Sequence, residues 1–116
     1  MPVFDGRLFI IRCFMEKKFD RFELYELLLK IPKGKVITYG QAAALLGNRG
    51  WARAVGNALH RNPDGEKYPC YKVVHGDGSL CEAFVFGGAN EQQRRLEAEG
   101  IEVIDNKVNL KKYGLY

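Results

Sequence analysis

No apolar run in this chain approaches the about 20 residues that a membrane-spanning helix needs. The stretch Leu8-Phe9-Ile10-Ile11 is far shorter, and no small-residue cleavage site follows it. An intracellular protein is expected, cytoplasmic or, in a eukaryote, nuclear, with no membrane partner. Cysteine is scarce too. Cys13, Cys70 and Cys81 are odd in number and widely spaced, form no CxxC pair, and have only His60 and His75 to help them. That argues against a disulfide framework and against a structural zinc site, so no metal and no cofactor is expected. Internal repeats and low-complexity tracts are also lacking, which excludes repeat architectures.

What is present fits one small domain. A chain of 116 residues can bury a single core and is too short for two. Its 18 Lys and Arg exceed its 14 Asp and Glu, which permits a polyanionic partner without demanding one.

Residues 1–19 carry apolar side chains in no clean helical period. Phe4-Asp5-Gly6-Arg7 reads as a turn, and Leu8 to Phe14 as a strand or strand-like arm. From Asp20 the pattern sharpens: Leu24, Leu27, Leu28 and Ile31 fall on one helical face, Asp20 is placed to cap it, and Pro32 with Gly34 ends it. Thr38 and Gln41 then have the spacing of a reciprocal capping box, so a second helix starts at Tyr39 and stops at Gly47. The helical period resumes at Trp51, with Ala54, Val55, Ala58 and Leu59 inward. Two short helices joined by a tight turn behind a supporting helix predict a helix-turn-helix.

The outward face of the third helix carries Arg49, Arg53, Asn57 and His60, with Ala52 and Gly56 beside them. Small residues allow close approach and arginines supply reach, which suits a nucleic-acid groove; a solvated polar face is the plainer alternative. Gly56 favours the first, because glycine inside a helix costs about 1 kcal/mol relative to alanine. Farther on, Asn90 with Gln93 predicts a last helix running to Gly100, and residues 101–110 read as a strand pair turning at Asp105-Asn106. Lys111-Lys112 reads as an exposed basic end. The expected fold is α+β and mainly helical, a winged-helix-like domain with a helix-turn-helix and short strands.

Tyr68-Pro69-Cys70-Tyr71-Lys72-Val73-Val74 holds a thiol between a proline and an apolar pair. Such a cysteine is either a small buried hydrophobe or a nucleophile at the floor of a pocket. The surrounding motifs decide between these. Gly34-Lys-Val-Ile-Thr-Tyr-Gly-Gln41, Ala52-Arg-Ala-Val-Gly56, Asn62-Pro63, Pro69-Cys-x-x-Val-Val74, Phe86-Gly-Gly88 and Leu96-Glu-Ala-Glu-Gly100 occur in an order that resembles the O6-alkylguanine-DNA alkyltransferase family. The resemblance covers about residues 22 to 101. Fewer than 22 residues precede it, so it implies residues 20–116 as the C-terminal DNA-binding and active-site domain without the family's usual N-terminal domain.

The resemblance implies a partner, double-stranded DNA carrying O6-alkylguanine, and an irreversible, single-turnover transfer of the alkyl group to Cys70 from a base flipped out of the duplex. It implies Arg53 entering the stack, Tyr39 crowding the phosphate of the flipped nucleotide, and Ala52 and Gly56 admitting the helix to the minor groove. It also implies Asn62 as the asparagine that braces the turn carrying the cysteine. Lys33, Lys35 and Arg49 would meet phosphates. Val73, Val85, Phe86 and Gly87 would form the substrate pocket, with Val85 and Phe86 an apolar lid and Gly65 where some members carry a proline wall.

Two departures matter. The family's usual Pro-Cys-His-Arg is Pro-Cys-Tyr-Lys here, so Glu99, which matches the glutamate that orients the histidine, faces Tyr71 instead. Tyr71 is expected to relay a proton to Glu99, and Lys72 to lower the thiol pKa by its charge. His75 is a second candidate base, although its turn reads as exposed; Cys13 and Cys81 read as structural thiols. A monomeric repair transferase is the leading expectation. An alkyltransferase-like lesion sensor, which would hand its site to nucleotide-excision repair proteins, comes next, and a winged-helix DNA-binding regulator last.

Overall fold

The computed structural model describes residues 18–82 and 84–116. The expected arm strand at Leu8 to Phe14, and Cys13 within it, lie outside the described residues. Helix α1 (Arg21–Leu29) starts where the Asp20 carboxylate accepts the Phe22 N–H at 2.9 Å. It buries Leu24 and Leu28, and Ile31 follows them into the core. Tyr25, which the apolar spacing passes over, is buried as well. Its ring stacks on Tyr68 at 5.0 Å, and its hydroxyl donates to the Ala58 carbonyl at 2.9 Å.

Strand β1 (Ile37–Thr38) runs straight into helix α2 (Tyr39–Leu46). The capping box forms in both directions, Gln41 N–H to Thr38 Oγ1 at 3.1 Å and Thr38 N–H to Gln41 Oε1 at 3.0 Å. Gly47 takes φ +125° to close the helix. A 3₁₀ turn (Arg49–Trp51) then leads into helix α3 (Ala52–His60), which buries Val55, Ala58 and Leu59. The helix-turn-helix is present, with the regular third helix starting at Ala52.

The element that joins this motif to the rest is short. Strand β2 (Val73–Val74) pairs parallel with β1, Ile37 opposite Val73 and Thr38 opposite Val74. Because neighbouring side chains point to opposite faces, Ile37 and Val73 enter the core built by α1, α2 and α3. Val36 and Val74 enter a second one with Leu80, Leu96, Ile101 and Val108. Tyr71 packs against both.

Helix α4 (Gly88–Glu97) differs from expectation at its start. Asn90 does not cap it. Gly87 is the N-cap at φ +134°, its N–H and that of Gly88 are tied to the Phe84 carbonyl, and Gln93 reaches Glu97 at 3.1 Å instead. Strands β3 (Val103–Ile104) and β4 (Lys107–Val108) form the expected antiparallel hairpin, with Asp105 and Asn106 at φ 53° and 64°, the twist that a two-residue hairpin turn prefers. Leu110 does not continue the strand. Asn109 accepts the Lys111 N–H at 3.0 Å and starts a short helix α5 (Leu110–Tyr113). The result is a small α+β domain. None of its described helices is long and apolar enough to cross a membrane.

Candidate functional site

The turn that carries the cysteine is strapped by one side chain. Asn62 is buried; its Nδ2 donates to the Tyr68 carbonyl at 2.8 Å, and its Oδ1 accepts the Asp64 N–H at 3.0 Å. The backbone then tightens, with Cys70 N–H on the Tyr68 carbonyl at 2.7 Å and Lys72 N–H on the Pro69 carbonyl at 3.2 Å. Cys70–Lys72 is therefore a 3₁₀ turn. Cys70 is 4% exposed and lines a cavity of about 420 Å³. Burial pushes its thiol pKa up, against the pull of a hydrogen bond from Asn62 and the charge of Arg95.

Helices α2 and α3 supply one side of this cavity: Tyr39, Ala52, Arg53 and Gly56, which the family resemblance assigns to DNA contact and not to the pocket. Val73 and Val85, two of the expected pocket residues, line it as well, whereas Phe86 and Gly87 do not. The Phe86 ring turns to Gly65, where an added Cβ would lie 2.6 Å from it. The phenylalanine that lines it is Phe84, whose ring meets Phe86 edge-on at 5.8 Å.

Other lining residues are less legible in sequence. Gln92 is buried, accepts the Cys81 N–H at 2.8 Å and donates to the Tyr71 and Val73 carbonyls at 3.0 and 3.2 Å. Its one sequence signal is a position four residues before Leu96 on the inward face of α4. His75 is exposed, as its turn suggests, yet it lines the cavity, its ring 5.2 Å from that of Tyr39. Cys81 lines it too and hydrogen-bonds with the Tyr39 hydroxyl; burial and that bond raise the Tyr39 pKa.

Behind the cysteine, the Tyr71 hydroxyl donates to Glu99 Oε2. Glu99 Oε1 accepts the Gly34 N–H at 3.0 Å and pairs with Lys72 Nζ at 3.1 Å. Burial works to raise the Glu99 pKa, but the bonds from Tyr71, Gly34 and Lys72 outweigh it and hold the carboxyl below its usual range. Burial and the bonded carboxylate together raise the Tyr71 phenol. Lys72 departs from the expected role. It is buried, and its ammonium is spent on Glu99 and on the Ile31 and Pro32 carbonyls, both at 3.1 Å, instead of facing the thiol.

The remaining expected DNA contacts sit outside the cavity. Arg49, in the 3₁₀ turn, lays its guanidinium beside Gly40, where an added Cβ would lie 2.8 Å from it. Lys33 and Lys35 flank Gly34 on the loop held by Glu99, and Lys35 Nζ reaches the Lys112 carbonyl at 3.4 Å. A second concavity of about 660 Å³ shares Asn57 with the first and is lined by Lys18, Arg21 and Arg61, with Asp20 as its acidic member. Among the described residues, no cluster of three or more His, Cys, Asp or Glu is placed to hold a metal ion.

Comparison with known proteins gives the family and the fold. Residues 21–101 match the family model described as 6-O-methylguanine DNA methyltransferase, DNA binding domain. A bifunctional methyltransferase/endonuclease of Picrophilus torridus is 48% identical over 90 residues, 78% of this chain, although the chain spans only 30% of that protein. A DNA base-flipping protein of Vibrio parahaemolyticus is 40% identical over 97 residues, covering 81% of this chain and 95% of its own length. Among solved structures, alkyltransferase-like protein 1 of S. pombe, in complex with damaged DNA containing O6-carboxymethylguanine, superposes with a TM-score of 0.77 at 30% identity. That match covers 86% of this chain and 99% of the other.

Proposed function

The chain belongs to the 6-O-methylguanine DNA methyltransferase DNA-binding family, and from that premise we propose that it repairs O6-alkylguanine in duplex DNA, with Cys70 as the acceptor of the alkyl group. One observation carries the reading: the thiol lines the same cavity as Tyr39, Ala52, Arg53 and Gly56 on the two helices of the helix-turn-helix. Helix α3 approaches the minor groove through Ala52 and Gly56. Arg53, exposed on that helix, fills the stack as the damaged base leaves, at a cost of a few kcal/mol that a weakly paired base lowers.

The chemistry is then a displacement. The Cys70 thiol gives up its proton, its sulfur bonds to the alkyl carbon, and the carbon–O6 bond breaks with its electron pair left on the guanine. The proton leaves toward Tyr71, whose own proton passes to Glu99; Glu99 gives that proton up to water and the released guanine takes one from water, so Glu99 ends as the carboxylate it began as and the transfer is neutral overall. Asn62 holds the turn still and donates to the sulfur. The S–C bond is permanent, so each molecule acts once.

The test is intact mass after mixing with a duplex that contains one O6-methylguanine, followed by peptide mapping, with Cys70→Ala as control. A single methyl on the Cys70 peptide is expected. Tight lesion-selective binding at unchanged mass overturns transfer and leaves the second reading, a sensor that marks the lesion for other repair proteins. One observation favours that second reading: burial raises the thiol pKa, and Lys72, the neighbouring cation, is turned to Glu99.

A further inference from the structure

The cavity that holds Cys70 has a floor and a rim of different chemistry. Leu59, Cys70, Val73 and Phe84 are buried in it, and the Gln92 amide beside them is spent on the Tyr71 and Val73 carbonyls. The polar lining residues Arg53, Asn57, His60 and His75 are exposed and form the rim. Among the described residues, none that lines the cavity is acidic. A base that enters such a cavity leaves its sugar and phosphates at the rim, where no carboxylate opposes them.

Three of the four rim residues belong to α3. His75 comes from another element, the turn directly after β2. Its ring packs on that of Tyr39 at 5.2 Å. Among the described residues its imidazole makes no hydrogen bond and no ion pair, so its nitrogens are open to a ligand.

The turn that carries His75 is fixed. The His75 N–H donates to the Ser79 carbonyl at 3.0 Å, the Gly78 N–H to the His75 carbonyl at 2.8 Å, and the Val108 N–H of β4 to the Gly78 carbonyl at 2.9 Å. Gly78 takes φ +90°, and an added Cβ would collide with the Val108 carbonyl. Asp77, the acid of this turn, accepts the Ser79 N–H and hydroxyl at 2.9 and 2.7 Å, pairs with Lys107 at 3.6 Å, and lines a separate concavity. An imidazole mounted in this way loses little freedom when it meets a ligand.

We propose that His75 is a DNA-positioning contact, its imidazole N–H donating to a phosphate that flanks the nucleotide whose base enters the cavity. The proposal rests on the reading of the cavity as the site of a flipped O6-alkylguanine. Arg53 is committed to the stack in that reading, and His75 then holds the backbone of the extruded nucleotide against the Tyr39 side of the mouth.

The test is a double-mutant cycle with one partner on the DNA. Affinities are measured by fluorescence anisotropy with Cys70→Ala protein, so that no methyl is transferred, for three O6-methylguanine duplexes: one intact, and two with an uncharged methylphosphonate in place of the 5′ or the 3′ phosphate of the lesion nucleotide. His75→Phe keeps a ring against Tyr39 and loses the N–H. It is expected to weaken the intact duplex about fivefold, the worth of one hydrogen bond, and to have no effect on one of the two methylphosphonate duplexes. His75→Arg, which keeps a donor, is expected to bind the intact duplex as tightly as His75 does. An equal loss on all three duplexes, or no loss on any, overturns the proposal; a general loss of stability would act on all three alike and cannot produce the selective pattern. Selective loss in a protein whose wild type takes no methyl from DNA leaves the His75 contact standing and defeats transfer alone. Equal wild-type affinity for damaged and undamaged duplex defeats the flipped-base reading and the contact together.

Discussion

A thiol that is 4% exposed can attack only after its proton has gone somewhere, and the residues behind Cys70 dictate how that depends on pH. Burial raises the thiol pKa, so less thiolate exists at neutrality than in a free cysteine. Methyl transfer is expected to accelerate by about tenfold per unit as pH rises from 7 toward 9, as single-turnover rates on an O6-methylguanine duplex would show. For folding the sign is opposite: the raised thiol stabilises fully below its unfolded pKa, and that contribution is lost as pH rises through the folded value. Glu99 works in the other window. Its lowered carboxyl contributes stability above the ordinary carboxylate range, and this is lost as pH falls through the folded value. Tyr71 joins the two groups, and Tyr71→Phe is expected to slow transfer at pH 7 by about a hundredfold, at the low end of what a positioned acid or base supplies. Wild-type speed in that variant would remove the relay. The Tyr71–Glu99 pairing was legible through the family resemblance, which matches Glu99 to the glutamate that orients the usual histidine. The direction of Lys72 was not, because a 3₁₀ turn advances about 120° per residue and sends positions i and i+2 to different sides.

At the scale of elements, the informative position is Gly56 in the middle of α3. A Cβ added there would meet only the Tyr39 ring, at an ordinary 3.9 Å, so the fold itself does not require glycine. Gly56→Ala is therefore expected to stabilise the protein by about 0.5–1 kcal/mol, the usual gain for this change inside a helix. If glycine is kept for close approach to DNA, the same variant should bind duplex more weakly. A higher melting temperature with lower affinity is the expected pair of results; unchanged affinity would mean that α3 does not press on the groove at that point. How well elements could be read in advance followed from how local their causes are. The capping box at Thr38 and Gln41, the Asp20 cap and the hairpin turn are decided within a few residues, and all three form. The start of α4 is decided by Gly87 and Gly88 at positive φ beneath the Phe84 carbonyl, so the capping residues at Asn90 and Gln93 were outcompeted. Tyr25 escaped the periodicity because its burial depends on Tyr68 and Ala58, more than thirty residues away in the chain.

At the scale of the whole molecule, β1 and β2 tie the helix-turn-helix to the cysteine turn, so the surface that would meet DNA and the cavity that would take the base move as one body. The positive charge was legible as a count but not as a place. Lys18, Arg21 and Arg61 come together only because α1 packs its first turn beside the end of α3, and the groove they line meets the lesion cavity at Asn57. Of these, Arg21 leans over the Phe22 ring at 5.1 Å, and Asp20 is engaged in capping α1, which leaves the groove with a positive balance. A duplex seated on α3 would then run one strand past Arg21 and Arg61. Each phosphate contact contributes about 0.9 to the slope of log affinity against log salt. The double change Arg21→Gln with Arg61→Gln is expected to lower that slope by about 1 to 2, and to weaken damaged and undamaged duplexes alike. Phosphate contacts position the protein without reading the base. For the same reason, the transfer rate at saturating DNA should stay at its wild-type value. A slope that did not change would take this groove off the path of the DNA and leave the salt dependence to Lys33, Lys35 and Arg49.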